Sequence, residues 1–248
     1  MLAFQRLKIG YPDTAIADEA TSFVFDASQL VVLLGRNGSG KTTLLKTLMQ
    51  SILPLAGNIT LHGKALKQHS AKELAKQISI VTTERLQTPY LTVYDLIAMG
   101  RYPYLGFLGK LQPADEQFIQ QIIERLSIGH LQKKYLTNCS DGEQQLVLIA
   151  RALAQDTPII LLDEATAHLD FVNRVKIFQV LQSLAVEQQK LLFLATHELE
   201  IALQFAHQVI LFGEQKLQIQ PPADLIASRA IEAVFEVEGL DYKLSLKR

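Results

Sequence analysis

The chain has 248 residues, with 24 Lys+Arg against 25 Asp+Glu and a formal charge of −1. That length can bury a sizeable core in one large domain or two modest ones, and the even charge balance argues against a dedicated nucleic-acid binder. No apolar run approaches the roughly 20 residues that span a bilayer, and the single cysteine, Cys139, excludes an intrachain disulfide framework and fits a reducing compartment. The opening residues lack a charged-then-apolar leader, so the expectation is a soluble, cytosolic protein.

Residues 2–9 and 22–25 predict strands of an antiparallel or mixed sheet. The run Leu30-Val31-Val32-Leu33-Leu34 is continuously apolar and ends at Gly35, the pattern of a strand buried on both faces. Residues 41–50 then predict a helix through Leu44, Leu45 and Leu48, and residues 78–81 a further strand. From about 92 to 156 the pattern is mainly helical, with Phe118, Ile119, Ile122, Ile123 and Leu126 at helix spacing. Pro113 occupies a first-turn position, with Asp115 and Glu116 near the positive helix end. Two more buried-strand runs, 159–162 and 191–195, each precede a helical stretch, 171–187 and 198–205. This alternation predicts an α/β fold, a parallel sheet covered by helices, with a helical subdomain inserted in the middle. Pro221-Pro222 breaks the chain before a small C-terminal segment.

The chemistry concentrates after the 30–34 strand. Gly35-Arg36-Asn37-Gly38-Ser39-Gly40-Lys41-Thr42, followed by Thr43, matches the phosphate-binding pattern G-x-x-x-x-G-K-[ST]. The glycines let backbone N–H groups approach phosphate oxygens, and the helix that begins at Lys41 points its positive end at the same anion. Lys41 would meet the β/γ-phosphates, and the Thr42 hydroxyl would ligate Mg²⁺. A chance match in a chain this long is roughly a one-in-a-hundred event at average residue usage. The strand 159–162 ends in Asp163-Glu164, a residue to hold Mg²⁺ and a residue to polarise water for attack on the γ-phosphate. His197 follows the 191–195 strand in the same way and is a candidate γ-phosphate sensor. His62, His69, His130 and His207 have no ligand-like spacing and are expected at the surface, and Cys139 is expected as a packing residue.

Cys139-Ser140-Asp141-Gly142-Glu143-Gln144-Gln145, followed by Ala150-Arg151-Ala152-Leu153, resembles the signature motif of ABC-transporter ATPases. Asp163-Glu164-Ala165-Thr166-Ala167-His168-Leu169-Asp170 is similar to that family's Walker B and D-loop, with Ala165 in place of the usual Pro. Thr196-His197-Glu198 resembles its H-loop, and Tyr11 its adenine-stacking aromatic. The stretches 91–96 and 100–106 resemble ATPase subunits of iron-siderophore, haem and cobalamin importers. The resemblance implies one ABC ATPase domain over 1–248. Within it, 1–83 and 158–248 form the P-loop core with an antiparallel β-subdomain, and 84–157 the helical subdomain. It implies a head-to-tail homodimer in which each ATP lies between one subunit's phosphate loop and the other's Ser140, Gly142 and Glu143.

The partners implied are the integral-membrane permease subunits of a bacterial importer and, through them, a periplasmic or lipoprotein substrate-binding protein. The implied location is peripheral, on the cytoplasmic face of the inner membrane. A soluble ABC ATPase scaffold, as in iron–sulfur assembly, and a non-hydrolysing ATP switch are the alternatives. Three positions depart from the family pattern. Cys139 replaces Leu, and Asp141 replaces the first signature Gly and is expected to point away or cap the helix. The Q-loop Gln is missing, so Thr83 is expected to fill its place at Mg²⁺, with Glu84 nearby.

Overall fold

The computed structural model describes residues 2–16, 19–82, 88–213 and 216–236. Thr83 and Glu84, and with them the expectation for the missing Gln, lie outside the described residues. The chain opens with β1 (Leu2–Lys8), a short hairpin of β2 (Gly10–Tyr11) and β3 (Thr14–Ala15), then β4 (Thr21–Phe25) and β5 (Gln29–Leu34). There follow α1 (Lys41–Leu48), β6 (Ala56–Leu61), β7 (Lys64–Ala65), α2 (Ala71–Leu74) and β8 (Ile78–Val81). The middle is helical: α3 (Val93–Ala98), α4 (Pro113–Arg125) and α5 (Asp141–Ala154). The last part runs β9 (Ile159–Asp163), α6 (Phe171–Glu187), β10 (Leu191–Ala195), α7 (Leu199–Phe205), β11 (Gln208–Phe212), β12 (Leu217–Gln220), α8 (Pro222–Ala227) and α9 (Ala230–Phe235).

Two sheets organise these elements. An antiparallel sheet has the order β4-β1-β6-β7, and a six-stranded sheet the order β12-β11-β5-β10-β9-β8. In the second sheet β11, β5, β10, β9 and β8 run parallel, and only β12 pairs antiparallel, with β11. The continuous apolar runs are explained by this burial. Along β5, Leu30, Val32 and Leu34 enter the core shared with the helices, whereas Val31 and Leu33 enter the core facing the antiparallel sheet. Phe25 joins the two sheets, with its ring 5.0 Å from Phe4 and 5.1 Å from Phe193.

β6 and β7, which complete the antiparallel sheet, and β11 and β12, which extend the large one, were not apparent from the periodicity. His207, expected at the surface, is half-buried instead: its Nδ1 accepts the Leu30 N–H at 3.1 Å, and burial lowers its pKa. A side chain that receives an otherwise unpaired strand amide is worth more inside than in water.

Candidate functional site

β5, β10 and β9 are neighbours in register, with Ala195 opposite both Leu33 and Asp163. Their carboxyl ends therefore form one rim, the place where ligands bind in open parallel sheets. The phosphate loop leaves β5 at Gly35, where an added Cβ would lie 2.6 Å from Ser39 Oγ and 2.8 Å from Phe212 Cβ. The loop closes on itself before α1. Lys41 is 5% exposed, and its Nζ donates to Gly35 O at 2.9 Å and Arg36 O at 3.1 Å. Burial lowers its pKa, while Glu164 and Asp163 act in the opposite direction. Ser39 Oγ is buried with no hydrogen-bond partner among the described residues. A buried ammonium and an orphaned hydroxyl in a loop with two positive-φ glycines are what an oligophosphate anion would satisfy.

The acidic side of the rim is equally well defined. Thr42 Oγ1 donates to Asp163 Oδ1 at 3.1 Å, joining the start of α1 to the end of β9. Burial raises the Asp163 pKa, with Glu164 adding to the rise and the Thr42 hydrogen bond opposing it. Glu164 turns out of the strand at φ 49°, and its N–H donates to Ala195 O at 2.9 Å. That turn brings Glu164 Oε1 to 2.6 Å from His197 Nε2. Lys41, Thr42, Asp163, Glu164 and His197, far apart in the chain, thus meet at one rim. Thr43 faces inward, and its carbonyl accepts the Thr47 hydroxyl at 2.8 Å.

Ser140, Gly142 and Glu143 make a separate cluster. Ser140 is the N-cap of α5, with its Oγ accepting Glu143 N–H at 3.3 Å and its own N–H donating to Glu143 Oε2 at 2.6 Å. The Ser140 N–H, then Lys134, whose Nζ lies 3.0 Å away, hold the Glu143 carboxyl below the usual carboxylate range. Ser140 is the cap, so Asp141 does not take that role; it lies exposed in the first turn, where the helix dipole favours an acid. At Gly142 an added Cβ would come within 3.2 Å of His168 O, which places the signature turn against the loop that follows Glu164.

Tyr11 pairs with Thr14 across the β2–β3 hairpin and is 49% exposed. A cleft of about 630 Å³ beside the phosphate loop is lined by Thr14, Ile16, Arg36, Asn37, Phe212 and Glu236 among others, but Tyr11 is not part of its wall. Arg36 reaches across it to Glu236 Oε1 at 2.5 Å. Sequence patterns missed this contact and Arg174, which donates to Leu169 O at 2.9 Å and pairs with Glu198 at 2.7 Å. A lone Arg in a helix carries no periodic or motif signal of such a role.

In the stretch 91–106, α3 is capped by Thr92 and Asp95. Arg101 pairs with Asp115 at 2.8 Å and lies 4.3 Å over the Tyr104 ring. The Tyr104 hydroxyl donates to Asp156 O at 3.2 Å, whereas Tyr102 is 60% exposed.

A phosphate loop, an acidic pair and a histidine at three neighbouring ends of a parallel sheet define a P-loop nucleotide hydrolase. The family profile described as "ABC transporter" matches residues 18–167. The chain is 34% identical over 239 residues to the iron(3+)-hydroxamate import ATP-binding protein FhuC of Bacillus subtilis, covering 96% of this chain and 88% of that protein. It is 30% identical over 232 residues to the ferric enterobactin transport ATP-binding protein FepC of Escherichia coli, covering 93% and 85%. Among solved structures, an inward-facing transporter ascribed to the metal-chelate type matches with a TM-score of 0.81 and 28% identity, over 95% of this chain and 88% of that one. The chain belongs to the ABC transporter ATP-binding family, and it is an ATPase.

Proposed function

We propose that this chain is the ATP-hydrolysing subunit of an importer for an iron chelate, with haem and cobalamin as the neighbouring substrate classes. FhuC and FepC, whose names concern iron(3+)-hydroxamate import and ferric enterobactin transport, support the substrate class. The observation that carries the catalytic part is the 2.6 Å contact of Glu164 with His197 beside Lys41.

In this reading Gly35, Arg36, Asn37, Gly38, Ser39, Gly40, Lys41, Thr42 and Thr43 hold the triphosphate, and Tyr11 stacks on the base. Thr42 Oγ1 and Asp163, hard oxygen donors already 3.1 Å apart, are the residues that would hold Mg²⁺. The burial that raises the Asp163 pKa favours a nearby cation, and the ion supplies charge neutralisation at the phosphates. Thr83 is the further ligand proposed for the position of the missing Gln. Glu164 takes a proton from, or orients, the attacking water. His197 steadies that carboxylate and the γ-phosphate, so the attack geometry is set before reaction.

Two copies pair head to tail, with Ser140, Gly142 and Glu143 of one facing the ATP of the other. The capping box at Ser140 and the packing of Gly142 on His168 support this, because they fix the α5 N-terminus against the loop that follows Glu164. The segment 84–157 is the helical unit, and the dimer docks on a permease at the cytoplasmic face of the membrane. Size-exclusion chromatography of Glu164→Gln tests the scheme. ATP-Mg²⁺ is expected to drive it into a dimer with turnover reduced at least a hundredfold, an order set by loss of a general base. A variant that stays monomeric at saturating nucleotide contradicts the dimer, and one that still turns over contradicts the role of Glu164.

A further inference from the structure

Arg174, in the first turns of α6, sends its guanidinium in two directions. Nη2 donates to Leu169 O at 2.9 Å, and Nη1 pairs with Glu198 Oε2 at 2.7 Å. Leu169 belongs to the loop after Glu164, which is held by Ala167 N–H to Glu164 O at 3.0 Å and Leu169 N–H to Thr166 O at 3.2 Å. Glu198 adjoins His197, and its own N–H donates to Thr196 Oγ1 at 3.1 Å. One side chain therefore ties the loop that follows Glu164 to the loop that carries His197. The two loops meet again at the Glu164–His197 contact of 2.6 Å. On the other flank of the first loop, His168 O packs on Gly142 of the signature turn.

Stability alone does not account for an arginine here. Its Nε is buried with no hydrogen-bond partner among the described residues, a desolvation cost that an aliphatic side chain would not incur. What the planar fork supplies is two donors at a fixed angle, reaching a carbonyl and a carboxylate on different loops. A lysine offers a single nitrogen and reaches both less well.

We propose that Arg174 is a positioning residue for hydrolysis. With Glu198 it holds His197 against Glu164 and couples that pair to the 165–170 loop and, through His168, to the signature turn. Seating of the signature turn is thereby read at the catalytic pair. This rests on the assignment of Glu164 and His197 to hydrolysis.

The test uses the purified full-length chain with steady-state ATP kinetics, fluorescent-nucleotide binding and thermal unfolding. In Arg174→Gln and Glu198→Gln, kcat is expected to fall about tenfold, with KM and nucleotide affinity within about twofold, the split of an effect confined to the transition state. Arg174→Lys is expected to fall between these and the wild type, and the double Gln variant to be no worse than the weaker single. A kcat within twofold of wild type in both single variants overturns the proposal. So do multiplicative losses in the double variant, or kcat, KM and thermal midpoint declining together. If Arg174→Gln does not fold, the shape-preserving Glu198→Gln decides by the same criteria. Glu164→Gln separates the two levels: if it remains active, the catalytic assignment fails, whereas an inactive Glu164→Gln beside fully active Arg174 and Glu198 variants refutes Arg174 alone.

Discussion

At Gly40 the backbone adopts φ 104°, and an added Cβ would collide with the Ile16 side chain. Two penalties therefore fall on Gly40→Ala, one from the backbone and one from the clash. Together they are expected to cost about 1–3 kcal/mol and to weaken ATP binding by displacing the loop. Ile16→Ala removes only the clash, so the double variant should recover part of the stability and remain below wild type. Chemical denaturation and nucleotide titration check this; full recovery would show that the φ constraint is absent. The phosphate-loop residues were legible because they are contiguous and their chemistry demands those types. Glu164 and His197 were legible one at a time, each after an apolar run. Their contact was not, because it depends on β9 and β10 being neighbours in register. Arg174 had no motif signal: the Leu169 carbonyl is close in the chain but unmarked by any pattern, and Glu198 is reached only through tertiary structure.

Among the elements, α4 shows how a local start signal acquires a second use. Pro113 occupies the first turn, and Asp115 Oδ2 accepts Gln112 N–H at 3.0 Å while Oδ1 pairs with Arg101 Nε at 2.8 Å. The Gln112 amide depresses the Asp115 pKa most; burial opposes it, and the hydrogen bond and charge of Arg101 lower it further. A depressed carboxyl adds stability that is present above its ordinary range and is lost as pH falls through the folded value. Asp115→Asn is thus expected to cost about 1–2 kcal/mol at neutral pH. The gap to wild type should begin to close as pH drops below about 4, where the unfolded carboxyl takes up its proton, and should vanish only below the lower folded value, where the native carboxyl does so too. Urea unfolding at several pH values reads this directly; a gap independent of pH would mean the carboxylate charge contributes nothing.

The same region separates two tyrosines that the sequence treats alike. Tyr104 is held by Asp156 O, Arg101 and Lys76, so its aromatic face is already committed to the fold. Tyr102 is the one that stands out to solvent. If 91–106 docks on the permease, Tyr102→Ala should reduce transport severalfold with ATPase activity of the isolated subunit unchanged, as expected of an aromatic interface anchor. Tyr104→Ala should instead lower the thermal midpoint. Equal transport by wild type and Tyr102→Ala in reconstituted vesicles would remove this stretch from the interface.

Across the whole molecule, Phe25 is the joint between the antiparallel and the parallel sheet, fully buried against Phe4, Phe23 and Phe193. Truncation there leaves a cavity between two layers that cannot readily collapse. Phe25→Ala is expected to destabilise by about 3–5 kcal/mol, measured as a lower denaturation midpoint. A loss under about 1 kcal/mol would mean that the layers repack independently.

What the sequence by itself determined was local in origin. It specified the buried strands at 30–34, 159–162 and 191–195 but not β11, the start of the helix at Pro113, which loop cradles phosphate, and an inserted helical stretch between halves of a parallel sheet. These follow from side-chain period, turn chemistry and motif spacing, all properties of neighbouring residues. Tertiary structure alone decided the strand order β12-β11-β5-β10-β9-β8. It also decided the inward place of His207, the packing of Gly142 on His168, and the joining of the Glu164 and His197 loops by Arg174. The physical reason is that strand pairing and ion pairs between loops depend on the packing of segments far apart in the chain, and no window of sequence contains both partners.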